Sequence, residues 1–138
     1  MICHTHKVQY YETDKMGITH HSNYIKWMEE GRTAFFEAIG YPYDEFEKMG
    51  MFSPVISISC EYRDPTTYCD EVEIDVSISE YNGLRMKMAY IMKNVKNDKT
   101  VFLATSDHCF IKQQGGIVRI NRAYPILHEK MLSLIENK

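Results

Sequence analysis

The segment Tyr10-Tyr11-Glu12-Thr13-Asp14-Lys15-Met16-Gly17-Ile18-Thr19-His20-His21-Ser22-Asn23-Tyr24 decides how the rest of the chain is read. Residues 7–12 look like a first strand, which breaks at acidic residues and turns through Gly17. Ser22 or Asn23 then offers an N-cap for a helix. From Asn23 to Ile39, the residues Tyr24, Met28, Gly31, Phe35 and Ile39 recur at helical spacing and form one apolar stripe. Lys26, Glu29, Glu30, Thr33 and Glu37 take the other faces. Gly40 stands where a glycine ends a helix, with Pro42 following. This order sets one carboxylate, Asp14, beside the backbone N–H groups of a helix N-terminus. Such N–H groups receive a developing oxyanion, while a carboxylate can attack carbon or activate water. The pair suits acyl chemistry.

Beyond a connecting stretch, residues 41–54, the period changes from helical to two. Val55 to Arg63 alternates and stops at Asp64-Pro65; Val72, Ile74, Val76 and Ile78 alternate again. Asn82-Gly83 is a hairpin signal, after which Leu84, Met86, Met88, Tyr90 and Met92 resume the pattern. Lys96 to Lys99 turns the chain into a long strand from Thr100 to Lys112, with Phe102, Ala104, His108 and Phe110 on one side. Gly115-Gly116 breaks that strand. A short strand near Ile117–Ile120 and a closing helix from Tyr124 to Glu136 complete the expectation. One long helix wrapped by a curved antiparallel sheet, an α+β arrangement, gives every apolar face a partner. Its outer edge strand would expose unpaired backbone groups, which makes dimerisation expected.

At 138 residues the chain is expected to form one domain, spanning 1–138. No apolar run approaches the roughly 20 residues that span a bilayer. The start, Met1 to His6, lacks the basic and apolar regions of a signal peptide, so a cytoplasmic location is expected. A net charge of −3, without basic clusters interleaved with aromatics, argues against nucleic acid. Cys3, Cys60, Cys69 and Cys109 are scattered and read as small buried hydrophobes or inert thiols rather than a disulfide frame or zinc site. His4, His6, His20 and His21 have no acidic or cysteine partner at ligand spacing, so no metal site is expected.

The string Tyr-x-Glu-Thr-Asp-x-x-Gly-x-x-x-His-x-x-Tyr, with this order of elements, resembles the hotdog-fold acyl-CoA thioesterases, specifically the 4-hydroxybenzoyl-CoA thioesterase-like group. The resemblance covers essentially the whole chain, but only residues 10–32 carry a specific motif. It implies hydrolysis of an acyl-CoA to a free acid and coenzyme A without metal or redox cofactor. It also implies a homodimer or homotetramer with active sites at the protomer interface. Carried over by position, Asp14 matches the catalytic carboxylate and Gly17 the turn glycine. His21 matches the position whose backbone N–H polarises the thioester carbonyl, and Tyr24, Glu29 and Arg32 fit the helix pattern in structural or supporting roles. Gly17, Tyr24 and Arg85 are the expected substrate-binding residues.

The family's basic cluster for coenzyme A phosphates has no full counterpart here. The corresponding turn reads Tyr81-Asn82-Gly83-Leu84, with Arg85 and Lys87 nearby; Lys112, Arg119 and Arg122 are the other candidate cations. From residue chemistry alone, Asp14 could instead make an Asx-turn, and Glu29 could simply pair with Arg32. Two rival readings are a thioesterase for acyl carrier protein and a non-catalytic acyl-CoA-binding sensor. Salt-dependent binding of an acidic protein would mark the first, and binding without turnover the second.

Overall fold

The computed structural model describes residues 1–135. Its first strand, β1 (Ile2–Lys7), precedes the expected 7–12. β1 pairs antiparallel with β4 (Glu71–Tyr81), from Ile2 opposite Val76 to Lys7 opposite Glu71. Beyond Lys7 the chain leaves the ladder, because Tyr10–Glu12 closes a single 3₁₀ turn. Glu12 causes that exit: its carboxylate takes the Gln9 N–H at 2.8 Å, in a capping box.

Helix α1 (Ser22–Ala38) follows the expected stripe. Gly40, at φ +91°, ends it in a Schellman motif: the Gly40 N–H donates to Glu37 O and the Tyr41 N–H to Phe36 O. The connecting stretch holds structure that its short, mixed pattern did not announce. It contains α2 (Tyr43–Lys48) and the two-residue strand β2 (Met51–Phe52).

The remaining strands are β3 (Val55–Tyr62), β5 (Arg85–Asn94) and β6 (Thr100–Cys109). They form a five-stranded antiparallel sheet in the order β1-β4-β5-β6-β3. The expected strand to Lys112 stops at Cys109. Phe110 is fully buried, and β7 (Ile111–Lys112) pairs with β2 in a separate ribbon. Instead of a strand at 117–120 there is a single bridge, Ile111 to Ile117, and then the short helix α3 (Ile120–Ala123). Helix α4 (Pro125–Ser133) closes the described chain; Glu136, where the expected helix ends, lies outside the described residues.

Val72, Ile74, Val76 and Ile78 of β4 are completely buried under α1, which lies mainly over β1 and β4. Gly31 permits that approach, since a Cβ there would meet Ile74 Cγ2 at 2.8 Å and Val76 Cγ2 at 2.9 Å. The other edge is different. On β3, Val55, Ile56, Ile58 and Tyr62 are each 40 % exposed or more. Long helix and curved antiparallel sheet together make the hotdog fold.

Candidate active site

The Asp14 loop is a miniature hairpin. The His20 N–H donates to Glu12 O (2.8 Å), Thr13 bridges Thr19, and the Asp14 N–H donates to Ile18 O (2.9 Å). The Gly17 N–H closes the turn onto Asp14 O at 2.9 Å, with Gly17 at φ +79°, a conformation glycine adopts without strain. Asp14 Oδ1 accepts the Met16 N–H at 2.8 Å, so the Asx-turn is present. Its other carboxylate oxygen makes no hydrogen bond among the described residues, and the side chain is half-buried. Thr66 and Thr67 clamp the loop from outside. Thr67 Oγ1 donates to Gly17 O (2.8 Å), and the Thr19 N–H donates to Thr66 O (2.8 Å). Tyr10, Tyr11 and Met16 are exposed, as is Tyr68, whose ring meets Tyr10 edge-on with centroids 5.7 Å apart.

His21 is the N-cap of α1, without a side-chain cap. The expected caps are used elsewhere: Ser22 Oγ meets His20 Nδ1 (2.9 Å), and Asn23 Nδ2 donates to Glu12 O (2.9 Å) and His20 O (3.1 Å). Helix-start N–H groups have no intrahelical acceptor. The His21 N–H donates to nothing among the described residues, whereas the Asn23 N–H turns back to His20 O (3.0 Å). The His21 imidazole is exposed and stacks on His20 with centroids 4.3 Å apart; its carbonyl accepts Tyr62 Oη at 3.1 Å.

Of the other residues expected at the site, Tyr24 is turned into the core. Its hydroxyl meets Thr66 Oγ1 at 2.9 Å and its ring stacks on Phe102. It therefore braces the loop from behind. Arg85 starts β5, whereas Asp14 lies near the other end, where Val72 of β4 pairs with Asn94. A ten-residue strand separates the two ends by roughly 30 Å within one protomer. Arg85 and Asp14 of one chain do not share a site.

The Glu29–Arg32 pair expected from spacing is present, with Arg32 Nη2 donating to both carboxylate oxygens at 2.9 and 3.0 Å. It is one end of a larger network. Arg32 also donates to Ser53 O (3.2 Å) and to Nδ1 of fully buried His108 (2.9 Å). His108 Nε2 lies 2.7 Å from Ser106 Oγ, and Ser106 Oγ lies 2.7 Å from Tyr90 Oη. Arginine only donates, so Nδ1 accepts and His108 is neutral. Burial first, and the Arg32 charge second, push its pKa down to about 4. Its place on the apolar face of the β6 pattern was the signal that it would be buried. Arg32 walls a cleft of about 270 Å³ lined by Tyr43, Phe46, Met51, Phe52 and Pro54. A second cleft, about 420 Å³, holds Lys112, Arg119 and Arg122.

Residues 8–131 match the profile of the thioesterase-like superfamily. The chain belongs to that superfamily. Over 122 residues it is 34% identical to YneP of Bacillus subtilis (strain 168), named as a candidate acyl-CoA thioesterase, with 88% of each chain covered. A candidate esterase of Aquifex aeolicus (strain VF5) is 38% identical over 114 residues, covering 83% of this chain and 87% of that one. The crystal structure of a DHNA-CoA thioesterase from Staphylococcus aureus superposes with TM-score 0.89 at 28% identity, over 95% of this chain and 88% of the other. This member of the superfamily is a hotdog-fold thioester hydrolase. Among its described residues, no helix is long and apolar enough to cross a membrane.

Proposed function

We propose that this thioesterase hydrolyses acyl-CoA, with Asp14 as nucleophile or general base and the His21 N–H as oxyanion donor. The observation that carries this reading is the pairing, across one small hairpin, of a carboxylate oxygen and a helix-start N–H that have no partner among the described residues. The thioester carbonyl oxygen lies against the N–H, where negative charge develops. Asp14 either attacks the carbonyl carbon, giving a mixed anhydride that water then hydrolyses to the free acid, or takes a proton from the water that attacks. The C–S bond breaks, and the departing thiolate leaves as coenzyme A, taking up a proton from water. Coenzyme A thiolate is a good leaving group, so protein groups alone suffice for the chemistry.

We further propose a homodimer joined through β3, able to stack into a tetramer. The exposed hydrophobic residues of β3 and its free backbone edge support it. Two copies of one strand related by a two-fold axis run antiparallel. The Val55 end of one copy then meets the Tyr62 end of the other, where Tyr62 touches the start of α1. Arg85 and the Lys112–Arg119–Arg122 cleft lie at the Val55 end, as does the cleft walled by Arg32. In the dimer these face the second copy's Asp14. The cations are the proposed seat for coenzyme A phosphates, and the largely apolar cleft for the acyl group.

Thiol release from a panel of acyl-CoAs, short aliphatic to aromatic, tests the activity. Turnover of at least one is expected. No turnover of any, with turnover of acyl groups on a carrier protein, would transfer the substrate assignment; tight binding without any turnover would overturn catalysis. Sedimentation is expected to give a dimer or tetramer, and Ile58→Asp to shift it toward monomer with loss of activity. A wild type that sediments as a monomer would sink the interface.

A further inference from the structure

Glu12 has no part in the chemistry just described, yet its side chain is the most heavily tied near the turn. It is 5 % exposed. Its Oε1 accepts the Gln9 N–H and faces His6 Nε2, both at 2.8 Å, and its Oε2 accepts the indole N–H of Trp27 at 2.9 Å. These partners belong to β1, to the chain leaving it, and to the second turn of α1. The main chain of the same residue works in the other direction. Glu12 O accepts both the His20 N–H (2.8 Å) and Asn23 Nδ2 (2.9 Å), the groups flanking His21 at the start of the helix.

One residue thus ties strand, helix body and helix start together, two positions before Asp14. We propose that Glu12 is the positioning residue of this active site, holding the Asp14 turn at a set offset from the His21 N–H. The proposal rests on the reading of Asp14 and His21 as the reacting pair.

The chemistry of the donor set explains why the residue is an ionised carboxylate. Three nitrogens point at two oxygens, so an amide or a protonated carboxyl would set its own hydrogen against one of them. Burial pushes the Glu12 pKa up, but hydrogen bonds from Gln9, His6 and Trp27 outweigh it and the net shift is downward. His6 is itself fixed from behind, with its Nδ1 3.0 Å from Glu30, which also meets His4 Nε2 at 3.1 Å. The anchor therefore runs through β1 into the exposed side of α1. Misplacing a reacting group by about 1 Å costs on the order of 10²-fold, so such an anchor acts on kcat while leaving ground-state binding alone.

Glu12→Gln tests this with two readouts. The first is kcat and KM on the best substrate; kcat is expected to fall on the order of 10²-fold with KM within about two-fold. The second is the indole N–H resonance of Trp27, the one tryptophan in the chain, which is expected to shift and lose protection from solvent exchange. Wild-type kcat in a folded Glu12→Gln protein overturns the proposal. Should that variant fail to fold, His6→Phe keeps a ring against Trp27, removes that donor and leaves the carboxylate in place. It is expected to cost about ten-fold in kcat, as one charge-assisted hydrogen bond would, and an unchanged kcat is again fatal.

Failure of the underlying reading looks different. Asp14→Asn would then keep its activity whatever Glu12→Gln does, and the positioning role loses its object. An inactive Asp14→Asn beside a fully active Glu12→Gln sinks the positioning role alone.

Discussion

Asp14→Asn is expected to lower kcat on acyl-CoA by 10²–10⁴-fold, the range a positioned acid–base group supplies, in a protein as stable as wild type. Stability is expected to hold because the substitution keeps what the structure uses. An asparagine Oδ1 still accepts the Met16 N–H and preserves the Asx-turn, and the backbone bonds from Asp14 to Ile18 and Gly17 are untouched. What disappears is the negative charge on the free oxygen. Asp14→Ala should lose the same activity and additionally up to about 1 kcal/mol of stability, for the missing turn bond. The comparison of the two variants separates catalyst from turn-former. If Asp14→Asn turns over at a wild-type rate while Asp14→Ala merely unfolds more easily, Asp14 is only the turn-former. Thiol-release kinetics beside urea unfolding of both variants makes the decision.

Lowering the pH from 7 to 5 is expected to remove on the order of 2 kcal/mol of folding stability through His108 alone. Its folded-state pKa is pushed down to about 4, by burial and then by Arg32, whereas an unfolded histidine titrates near 6.5. Between those values the unfolded chain binds the extra proton and the folded one does not. The contribution is therefore fully present above about pH 6.5 and is lost as pH falls toward 4. Protonating His108 in place would turn its Nδ1 from acceptor into donor, 2.9 Å from the Arg32 guanidinium. Glu12 and Asp70, whose pKa values are lowered, lose their contributions at more acidic pH, as it falls through the ordinary carboxylate range and below. Urea unfolding of wild type and His108→Gln at both pH values isolates the effect. The variant should be less stable at pH 7 and show a shallower fall to pH 5; equal slopes would rule out His108 as the titrating group.

The parts legible in the sequence share a physical trait: each is encoded by local period or local turn chemistry. The stripe from Tyr24 to Ile39 specified α1, and Gly40 its end. Alternation in 72–78 and 86–92 specified which side of β4 and β5 is buried, and Asn82-Gly83 joined them. Where the fold departs from local pattern, a long-range demand overrides it. Residues 7–12 carry strand-like side chains, but Glu12 withdraws its own segment by taking the Gln9 N–H and reaching Trp27. Phe110 continues the alternation of β6, yet its burial ends the strand and sends the next two residues to pair with β2. The short α2 was hidden because its six residues are too few to display a period.

Local pattern was enough for the class of fold, the order of its long helix and long strands, and the turn–helix junction that holds Asp14 and His21. These depend on residues close along the chain, where covalent spacing restricts the geometry. Packing between distant segments was needed to turn Tyr24 toward Thr66 and the core, to set Arg85 at the far end of the sheet from Asp14, and to bring Arg32 to His108, 76 positions away. It also made Glu12 a hub, through donors supplied by β1 and α1. Such contacts arise from packing between elements, and a hydrogen bond across the fold leaves no periodic trace in the chain.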